Sequence, residues 1–320
     1  SLITTLLRDA SLDPTYTIGG VLQKTQTNAA LGTGDYWVTE ADESDASFLF
    51  LQPQYAIVTN VDRDHLERYN GDFDALKRVF VQFLERLPFY GLAIVCWDDL
   101  HTRDVCAGLN RPYVGYGMHA DAGYRITDVQ AVGCQTACVI YRPHGYAPLS
   151  LTLNLAGLHN LYNATAAVAL GTELGISDVV IQRSLSGFSG VGRRFELQGT
   201  LAFKKPDIKN VLLIEDYGHH PTEVQATIQA ARAAWPTRRL VWVFQPHRYT
   251  RMAALMHEFA TVLSQVDCLM VLDIYGAREV PIAGVTAQAL MDGVCAESPL
   301  QPYHVPSYDA WLELLPHVLM

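Results

Sequence analysis

The sequence predicts an α/β fold of two domains, on three observations. Short apolar runs alternate with segments of helical periodicity along most of the chain, which is typical of sheets flanked by helices. A stretch rich in Gly and Ser, Ser186-Gly187-Phe188-Ser189-Gly190-Val191-Gly192, interrupts this pattern and indicates a hinge. The length of 320 residues is typical of about two domains. We therefore predict a first domain over residues 1–189 and a second, Rossmann-like domain over residues 190–320.

The first domain is predicted to be a mixed sheet with helices. Its predicted helices cover residues 1–9, 73–87, 100–108, 160–175 and 178–188. Its predicted strands cover residues 16–21, 36–40, 55–60 and 92–96. Residues 27–32 show neither pattern and are predicted to form a loop. Consecutive strands without intervening helices, at residues 113–116, 124–129, 136–141 and 149–155, predict an antiparallel appendix over residues 113–155.

In the second domain, strands and helices alternate regularly. The predicted strands cover residues 211–214, 240–244, 269–274 and 303–305. The predicted helices cover residues 221–235, 250–264, 285–293 and 308–315. The run from Val211 to Ile214 is wholly apolar, which is typical of a buried strand in a parallel sheet.

Composition excludes several classes of protein. A net charge of −10 argues against a general nucleic-acid binder, which needs a basic face. No apolar run reaches the roughly 18 residues of a membrane span, and the first residues do not have the pattern of a signal peptide. The six cysteines form no C-x-x-C pair and are typical of reduced thiols. The sequence therefore predicts a cytoplasmic protein that binds neither nucleic acid nor membrane.

The loop after the predicted strand 211–214 is crowded with titratable groups. Asp216, Tyr217, His219 and His220 stand between that strand and a helix that Pro221 opens. Ligands bind at the carboxyl ends of strands in open α/β sheets, so this loop is a candidate site. The alternative is a polar loop that only caps the next helix.

A second polar loop follows the next predicted strand and is expected to share an edge of the sheet with the first. It contains His247, Arg248 and Arg251. Together with Asp216 and Tyr217, it would present both signs of charge, which fits a small zwitterion. The alternative is a helix start with basic residues, an arrangement that the helix dipole disfavours.

Three further groups are candidates, each with a structural alternative. Glu40 and His65 follow strands predicted to be adjacent and parallel, and could bind a divalent ion; alternatively, Glu40 lies in a solvated acidic loop and His65 caps a helix. Asn160 and Asn163 lie one helical turn apart and could read an adenine edge, or serve as a cap and a surface residue. Arg194 follows the hinge and could reach a phosphate, or be a solvated charge.

The sequence contains no G-x-x-x-x-G-K-[ST] motif, no G-x-G-x-x-G motif after a strand and no G-x-S-x-G motif. It does contain seven other motifs, namely Glu40-Ala41-Asp42-Glu43-Ser44-Asp45-Ala46-Ser47-Phe48, Ile57-Val58-Thr59-Asn60 with His65, Leu87-Pro88-Phe89-Tyr90-Gly91, Gly157-x-His159-Asn160-x-x-Asn163, Gly190-x-Gly192-Arg193-Arg194-Phe195, Asp216-Tyr217-Gly218-His219-His220-Pro221-Thr222-Glu223 and Phe244-Gln245-Pro246-His247-Arg248. Together these motifs resemble the Mur ligases, over nearly the whole chain and most closely in the branch that adds L-alanine.

The resemblance implies a central ATPase-like domain, and ATP-dependent amide formation between UDP-N-acetylmuramate and L-alanine through an acyl phosphate. It implies that Glu40 and His65 bind Mg²⁺. It places Asn160 and Asn163 at the adenine, and Arg194 and Asp216 near the nucleotide. For the amino-acid and transition-state site it implies Tyr217, His219, His247, Arg248 and Arg251, with Ser44 against the muramyl substrate.

The family's phosphate loop, G-T-x-G-K-[ST], is expected before Ser1, the UDP-binding domain before that loop, and the last strand and helix after Met320. Both predicted domains are therefore incomplete in the sequence as given, and without the loop we expect it to have little or no ligase activity. Lys77 lies near a lysine that is carbamylated in related ligases, a modification that the alanine-adding branch is not expected to need.

Other functions remain open from the sequence. One is the ligase that recycles muramyl tripeptide, which shares much of the pattern. Another is a non-catalytic fragment or binding module. A zinc hydrolase would suit eleven His, but no H-E-x-x-H or H-x-H spacing supports it.

Overall fold

A computed structural model describes residues 1–63, 66–201, 208 and 210–319. The chain divides into two compact units, Ser1–Gly192 and Arg193–Met320, which are described separately. Within the described residues, no helix is long and apolar enough to cross a membrane.

The first unit combines two sheets with helices. Its helices are α1 (Leu2–Asp9), α2 (Phe73–Leu84), α3 (Leu100–Cys106), α4 (Leu158–Glu173) and α5 (Asp178–Ser186). Its strands are β1 (Thr15–Leu22), β2 (Thr27–Ala30), β3 (Trp37–Thr39), β4 (Tyr55–Val58), β5 (Leu92–Cys96), β6 (Tyr113–Gly117), β7 (Tyr124–Val132), β8 (Gln135–Tyr141) and β9 (Leu149–Leu153). The predicted α/β class is confirmed.

The larger sheet has six strands in the order β4-β5-β6-β7-β8-β9. Strands β4 to β7 pair in parallel, and antiparallel pairing begins between β7 and β8. The expected antiparallel appendix is therefore wrong for β6, which extends the parallel sheet. The local pattern of β6 carries no information about the direction of its neighbour, because direction depends on the route of the connecting chain.

The smaller sheet has the order β2-β1-β3. The loop predicted at residues 27–32 is wrong in part, because Thr27–Ala30 form β2, an exposed antiparallel edge of β1. Its side chains lack an apolar alternation, so only pairing with β1 makes it a strand. Strand β3 pairs in parallel with β1, and within the described residues it shares no ladder with β4. The predicted adjacency of the strands that precede Glu40 and His65 is therefore wrong.

The main core of the first unit lies between the larger sheet and α4. The middle of α4, from Ala164 to Gly171, is buried throughout. A helix that is apolar all round is stable only when neighbours cover every side. Here α1 contributes Leu6 and α5 contributes Ile181, both fully buried in the same cluster as α4. This core holds the start of α4, and with it Asn160 and Asn163, in place.

The second unit is built on a parallel sheet whose strands, in order, are β12 (Val241–Phe244), β13 (Cys268–Leu272) and β14 (Tyr303–Val305). Strands β10 (Glu196–Leu201) and β11 (Val211–Glu215) precede them in the chain. Its helices are α6 (Pro221–Ala234), α7 (Tyr249–Leu263), α8 (Ala287–Glu297) and α9 (Tyr308–Val318). Strand β13 is buried along its whole length and forms the centre of the unit.

The predicted place of Val211–Ile214 in a parallel sheet is wrong. Strand β11 pairs in antiparallel fashion with β10, a strand that the sequence did not predict. All five residues of β11 are only half buried. An apolar run alone does not distinguish a strand buried on both faces from one in a two-stranded ribbon, because the pairing partner decides.

Candidate functional site

In the second unit, the loop after β11 is organised around Asp216. One carboxylate oxygen accepts a hydrogen bond from the backbone N–H of Phe195 at 2.8 Å, and the other accepts from Gly218 at 2.7 Å. A carboxylate that accepts backbone N–H groups is held firmly and in turn orders the chain around it. Asp216 therefore sets the shape of the loop that carries Tyr217 and His219.

The end of this loop caps α6. The His220 side chain accepts from Thr222, while Glu223 accepts from the backbone N–H of His220 at 3.2 Å, which forms a capping box. Burial acts to raise the pKa of Glu223, but the hydrogen bond from His219 and the charges of His219 and Arg194 outweigh it and lower that pKa. The capping role considered for this loop thus applies to His220 and Glu223, while His219 remains available.

The tautomer of His219 follows from its neighbours. Its Nδ1 lies 3.0 Å from the carbonyl oxygen of Tyr217. A carbonyl can only accept, so Nδ1 must carry the hydrogen. In the neutral ring, Nε2 is then left as a proton acceptor. The side chain is 29% exposed, so the ring is partly accessible to a small ligand.

His247 has the complementary tautomer. Its Nδ1 lies 3.2 Å from Nη1 of Arg251, a guanidinium that can only donate, so Nδ1 accepts and Nε2 carries the hydrogen of the neutral ring. Burial lowers the pKa of His247, and the charges of Arg251, His219 and Arg248 lower it further. Arg251 is 7% exposed, so its charge is weakly screened.

Replacing Arg251 with Met is expected to raise the pKa of His247, because the positive charge facing Nδ1 is removed. Histidine NMR titration of the chain measures this. Since folding lowers the pKa of this His below about 6.5, its contribution to the stability of the second unit is present above that pH and lost as pH falls through the folded-state pKa. In Arg251→Met the pKa of His247 is shifted less by folding, so the stability of the second unit should depend less on pH. An unchanged pKa of His247 would contradict its assigned contact with Arg251.

The two histidines come together although β11 lies outside the parallel sheet. The ring centroids of His219 and His247 are 5.9 Å apart, and that of Tyr217 lies 5.3 Å from His219. On the other side, Tyr275 stacks on His247 at 5.5 Å. The loops after β11, β12 and β13 therefore contribute to one cluster of rings, as the argument from strand ends anticipated for the first two.

Two residues of this cluster were not found from the sequence. Tyr275 stacks on His247, and Glu279 binds Nε of Arg248 at 2.6 Å. Both follow β13, whose carboxyl end neighbours that of β12 in the sheet. The sequence signal for Tyr275 and Glu279 was their position after a predicted strand. The apolar run of β13 did not, however, indicate that this strand lies beside β12.

Arg194 and its neighbour Arg193 surround Tyr217. Their guanidinium carbons lie 5.8 and 4.7 Å from the centre of its ring. Arg194 also donates to Glu223 at 3.3 Å, and Arg193 to Glu215 at 2.7 Å. Arg194 is about half exposed, so its present partner leaves part of the guanidinium open to an anion.

In the first unit, one carboxylate oxygen of Glu40 makes a hydrogen bond, and the other has no hydrogen-bond partner among the described residues. Its Oε2 accepts from the backbone N–H of Gly19 at 2.7 Å. A Cβ at Gly19 would lie 3.0 Å from Oε1, so the glycine permits this close approach. His65 lies outside the described residues. Among the residues described, no group of three or more His, Cys, Asp or Glu is placed to hold a metal ion.

Ser44 is half buried in the turn after β3, where its backbone N–H donates to Asp42 at 2.8 Å. On α2, Lys77 pairs with Asp74 at 2.8 Å and with Asp104 at 3.6 Å. The hydrogen bond to Asp74 raises the pKa of Lys77.

Asn160 and Asn163 lie in the first two turns of α4 and are half buried. The Asn160 side-chain nitrogen already donates to the carbonyl oxygen of Ala156 at 2.8 Å. The oxygen and the second N–H of the Asn160 side-chain amide are then left to hydrogen-bond with the edge of a base. Asn163 makes no side-chain hydrogen bond within the described part of the chain, so both its donor and its acceptor are available.

Two family descriptions match the chain. The Mur ligase middle domain matches residues 2–171, and the Mur ligase, glutamate ligase domain matches residues 193–317. A UDP-N-acetylmuramate–L-alanine ligase from Methylococcus capsulatus (strain Bath) is 47% identical over 319 residues, which is 100% of this chain and 67% of that relative.

Solved structures share the fold. A UDP-N-acetylmuramate-alanine ligase from Thermotoga maritima has a TM-score of 0.77 at 25% identity, over 99% of this chain and 65% of that one. For a folylpolyglutamate synthase from Mycobacterium tuberculosis, solved with ADP, the TM-score is 0.73 at 13% identity, over 99% of this chain and 80% of that one, which shows the fold alone. The chain spans about two thirds of the two alanine ligases, at 67% and 65% of their lengths. Because the family matches together extend over most of its residues, the chain belongs to the Mur ligase family.

Proposed function

We propose that the chain is part of an ATP-dependent ligase that joins L-alanine to the carboxylate of UDP-N-acetylmuramate. The observation that carries this proposal is 47% identity, over the whole chain, to a UDP-N-acetylmuramate–L-alanine ligase. The paired histidines and arginines of the second unit support it independently, since they match the chemistry of a small zwitterion.

The amino acid is proposed to bind at the cluster formed by the loops after β11 and β12. An α-carboxylate suits the guanidinium groups of Arg248 and Arg251. The amine must lose a proton to become a nucleophile, and Nε2 of His219 is the available acceptor. His247 donates from Nε2, and Tyr217 closes one side of the cluster. Ser44 remains a proposed contact of the muramyl substrate.

ATP and Mg²⁺ are proposed to bind chiefly at residues of the first unit. Glu40 fits a Mg²⁺ ligand because it is exposed and one of its oxygens has no hydrogen-bond partner among the described residues, and His65 is its proposed companion. Asn163 and the remaining groups of Asn160 fit an adenine edge. ATP supplies the phosphoryl group that activates the carboxylate. Arg194 would offset negative charge on a phosphate, while Asp216 acts through the shape of its loop.

A cytoplasmic location belongs to the same proposal. All six cysteines are free thiols in the structure: Cys96, Cys106, Cys134, Cys138, Cys268 and Cys295. Proteins of oxidising compartments more often use such residues in disulfides. The free thiols therefore favour a reducing compartment.

The test measures phosphate release from ATP in the presence of UDP-N-acetylmuramate and either L-alanine or the free tripeptide. The chain is joined to the segment of the Methylococcus capsulatus relative that it does not cover, and assayed beside the chain as given. We expect alanine-dependent release from the joined chain. Because the given sequence contains no phosphate-loop motif, we expect little release from it alone. Preference for the tripeptide would replace this proposal with the recycling ligase, and no release with either would favour a non-catalytic binding module.

A further inference from the structure

We propose that Glu279 is a positioning residue, which holds the Arg248 guanidinium in one orientation beside His247 so that it can bind the carboxylate of the amino-acid substrate. The inference rests on the proposed function for the identity of that substrate. Neither the motifs of the sequence nor the family resemblance pointed to Glu279, which follows β13 in a different loop from Arg248.

The contacts of Glu279 occupy both of its carboxylate oxygens. Oε1 accepts from Nε of Arg248 at 2.6 Å and from the Thr250 hydroxyl at 2.7 Å. Oε2 accepts from the backbone N–H of Thr250 at 3.0 Å. The side chain is only 16% exposed, so these bonds face little competition from water. One carboxylate thus holds both the side chain of Arg248 and the first turn of α7.

The backbone at Arg248 needs such support. Its φ is +69°, in the left-handed region that residues with a Cβ seldom adopt, and Arg278 beside Glu279 has φ of +75°. Such conformations persist where surrounding contacts hold them, and they concentrate at ligand sites. Here Arg248 N–H donates to Tyr275 O, and Tyr275 N–H to Pro246 O, each at 2.8 Å. The loops after β12 and β13 are therefore held together by backbone and side-chain bonds.

The two Nη atoms of Arg248 are available to bind a ligand. Its Nε is occupied by Glu279, and no acceptor for its Nη atoms is found among the described residues. The side chain is 36% exposed. A guanidinium anchored through Nε has a fixed plane, and its two Nη groups can then make a bidentate pair with a carboxylate at little cost in side-chain entropy. Without Glu279 the plane would be free to turn.

The experiment compares the chain with its Glu279→Gln variant, and uses Glu297→Gln as the matched control. Glu297 is also a carboxylate of the second unit, paired with exposed His257 at 3.7 Å and outside the proposed site. NMR on isotope-labelled arginine follows the Nε–H signal of Arg248, assigned through Arg248→Lys. Calorimetry measures the affinity of each chain for L-alanine.

We expect Glu279→Gln to broaden or shift the Arg248 Nε–H signal and to weaken L-alanine binding by about tenfold, the approximate cost in affinity of fixing one long side chain on binding. Glu297→Gln should leave both unchanged. An intact Arg248 signal with unchanged affinity in Glu279→Gln would overturn the inference. If the parent chain does not bind L-alanine, the proposed function loses support, and the Arg248 signal alone then decides the positioning role.

A misfolded variant is recognised because its other NMR signals lose their dispersion. Thr250→Val removes the hydroxyl bond to Glu279 but leaves the contact with Arg248. We expect it to retain the Arg248 signal. Loss of that signal in Thr250→Val as well, with dispersed signals elsewhere, would show that the start of α7, and not Glu279, orients Arg248 and would overturn the inference.

Discussion

Replacing His219 with Gln is expected to lower kcat of the joined chain about 100-fold, the lower range for loss of a general base. Gln is close in size and can hydrogen-bond, but it cannot take up a proton. The bond from Nδ1 to Tyr217 O leaves Nε2 of His219 as the free acceptor, so the amine would lose its acceptor while its binding residues remain. Steady-state kinetics with L-alanine as the varied substrate measure the effect.

The matched control is His257→Gln, since His257 is an exposed imidazole on α7 that pairs only weakly with Glu297. It is expected to leave kcat unchanged. If His219→Gln raised KM for alanine and left kcat intact, His219 would be a binding residue and not the proton acceptor. A loss equal in both variants would indicate damage to the second unit instead.

Replacing Asp178 with Ala is expected to lower the free energy of unfolding of the first unit by about 3 kcal/mol, the lower end for breaking a buried ion pair. The Arg142 side chain is 2% exposed, and its two Nη atoms donate to the Asp178 carboxylate at 2.7 and 2.8 Å. Asp178 is 45% exposed, which reduces the effect. Urea unfolding followed by tryptophan fluorescence measures the change.

The double variant Arg142→Met with Asp178→Ala should recover part of the loss in the free energy of unfolding, because no buried charge is then left without a partner.

The stabilisation by the pair of Arg142 and Asp178 also depends on pH. The hydrogen bond from Arg142 lowers the pKa of Asp178 against the opposing effect of burial. The stabilisation is therefore present above the unfolded pKa of about 3.9 and is lost as pH falls through the lower folded-state pKa. A difference between parent and variant that grew below pH 4 would contradict this assignment.

Much of the fold followed from local pattern. Strand β5 coincides with its predicted range of residues 92–96, and β14 with residues 303–305. Strand β5 is a short apolar run that is buried at four of its five positions, so propensity and burial agree there. Strand β10 was missed because it is only partly buried and carries a Gly within it, so neither pattern nor propensity marks it.

The residues of the candidate site were also found only in part from the sequence. Strand ends drew attention to Asp216, His219, His247 and Arg248 because titratable groups are unusual there. The sequence did not distinguish the ligand-facing histidine from the capping one, although His219 and His220 are adjacent. That distinction depends on where the chain turns: His220 is 8% exposed and caps α6, whereas the ring of His219 lies beside that of His247, with the centroids 5.9 Å apart.

The sequence by itself determined the alternation of strands and helices, the family and the residue types at the strand ends, because these depend on local periodicity and on motifs continuous along the chain. Tertiary structure alone decided that β11 pairs with β10, that Arg251 and Tyr217 set opposite tautomers in the two histidines, and that Glu279 holds Arg248. The pairing of β10 with β11 and the bond from Arg248 to Glu279 join segments brought together by folding, so the partner cannot be read from either segment alone. The two tautomers depend on contacts within single loops, and only the folded backbone brings those atoms within hydrogen-bond distance.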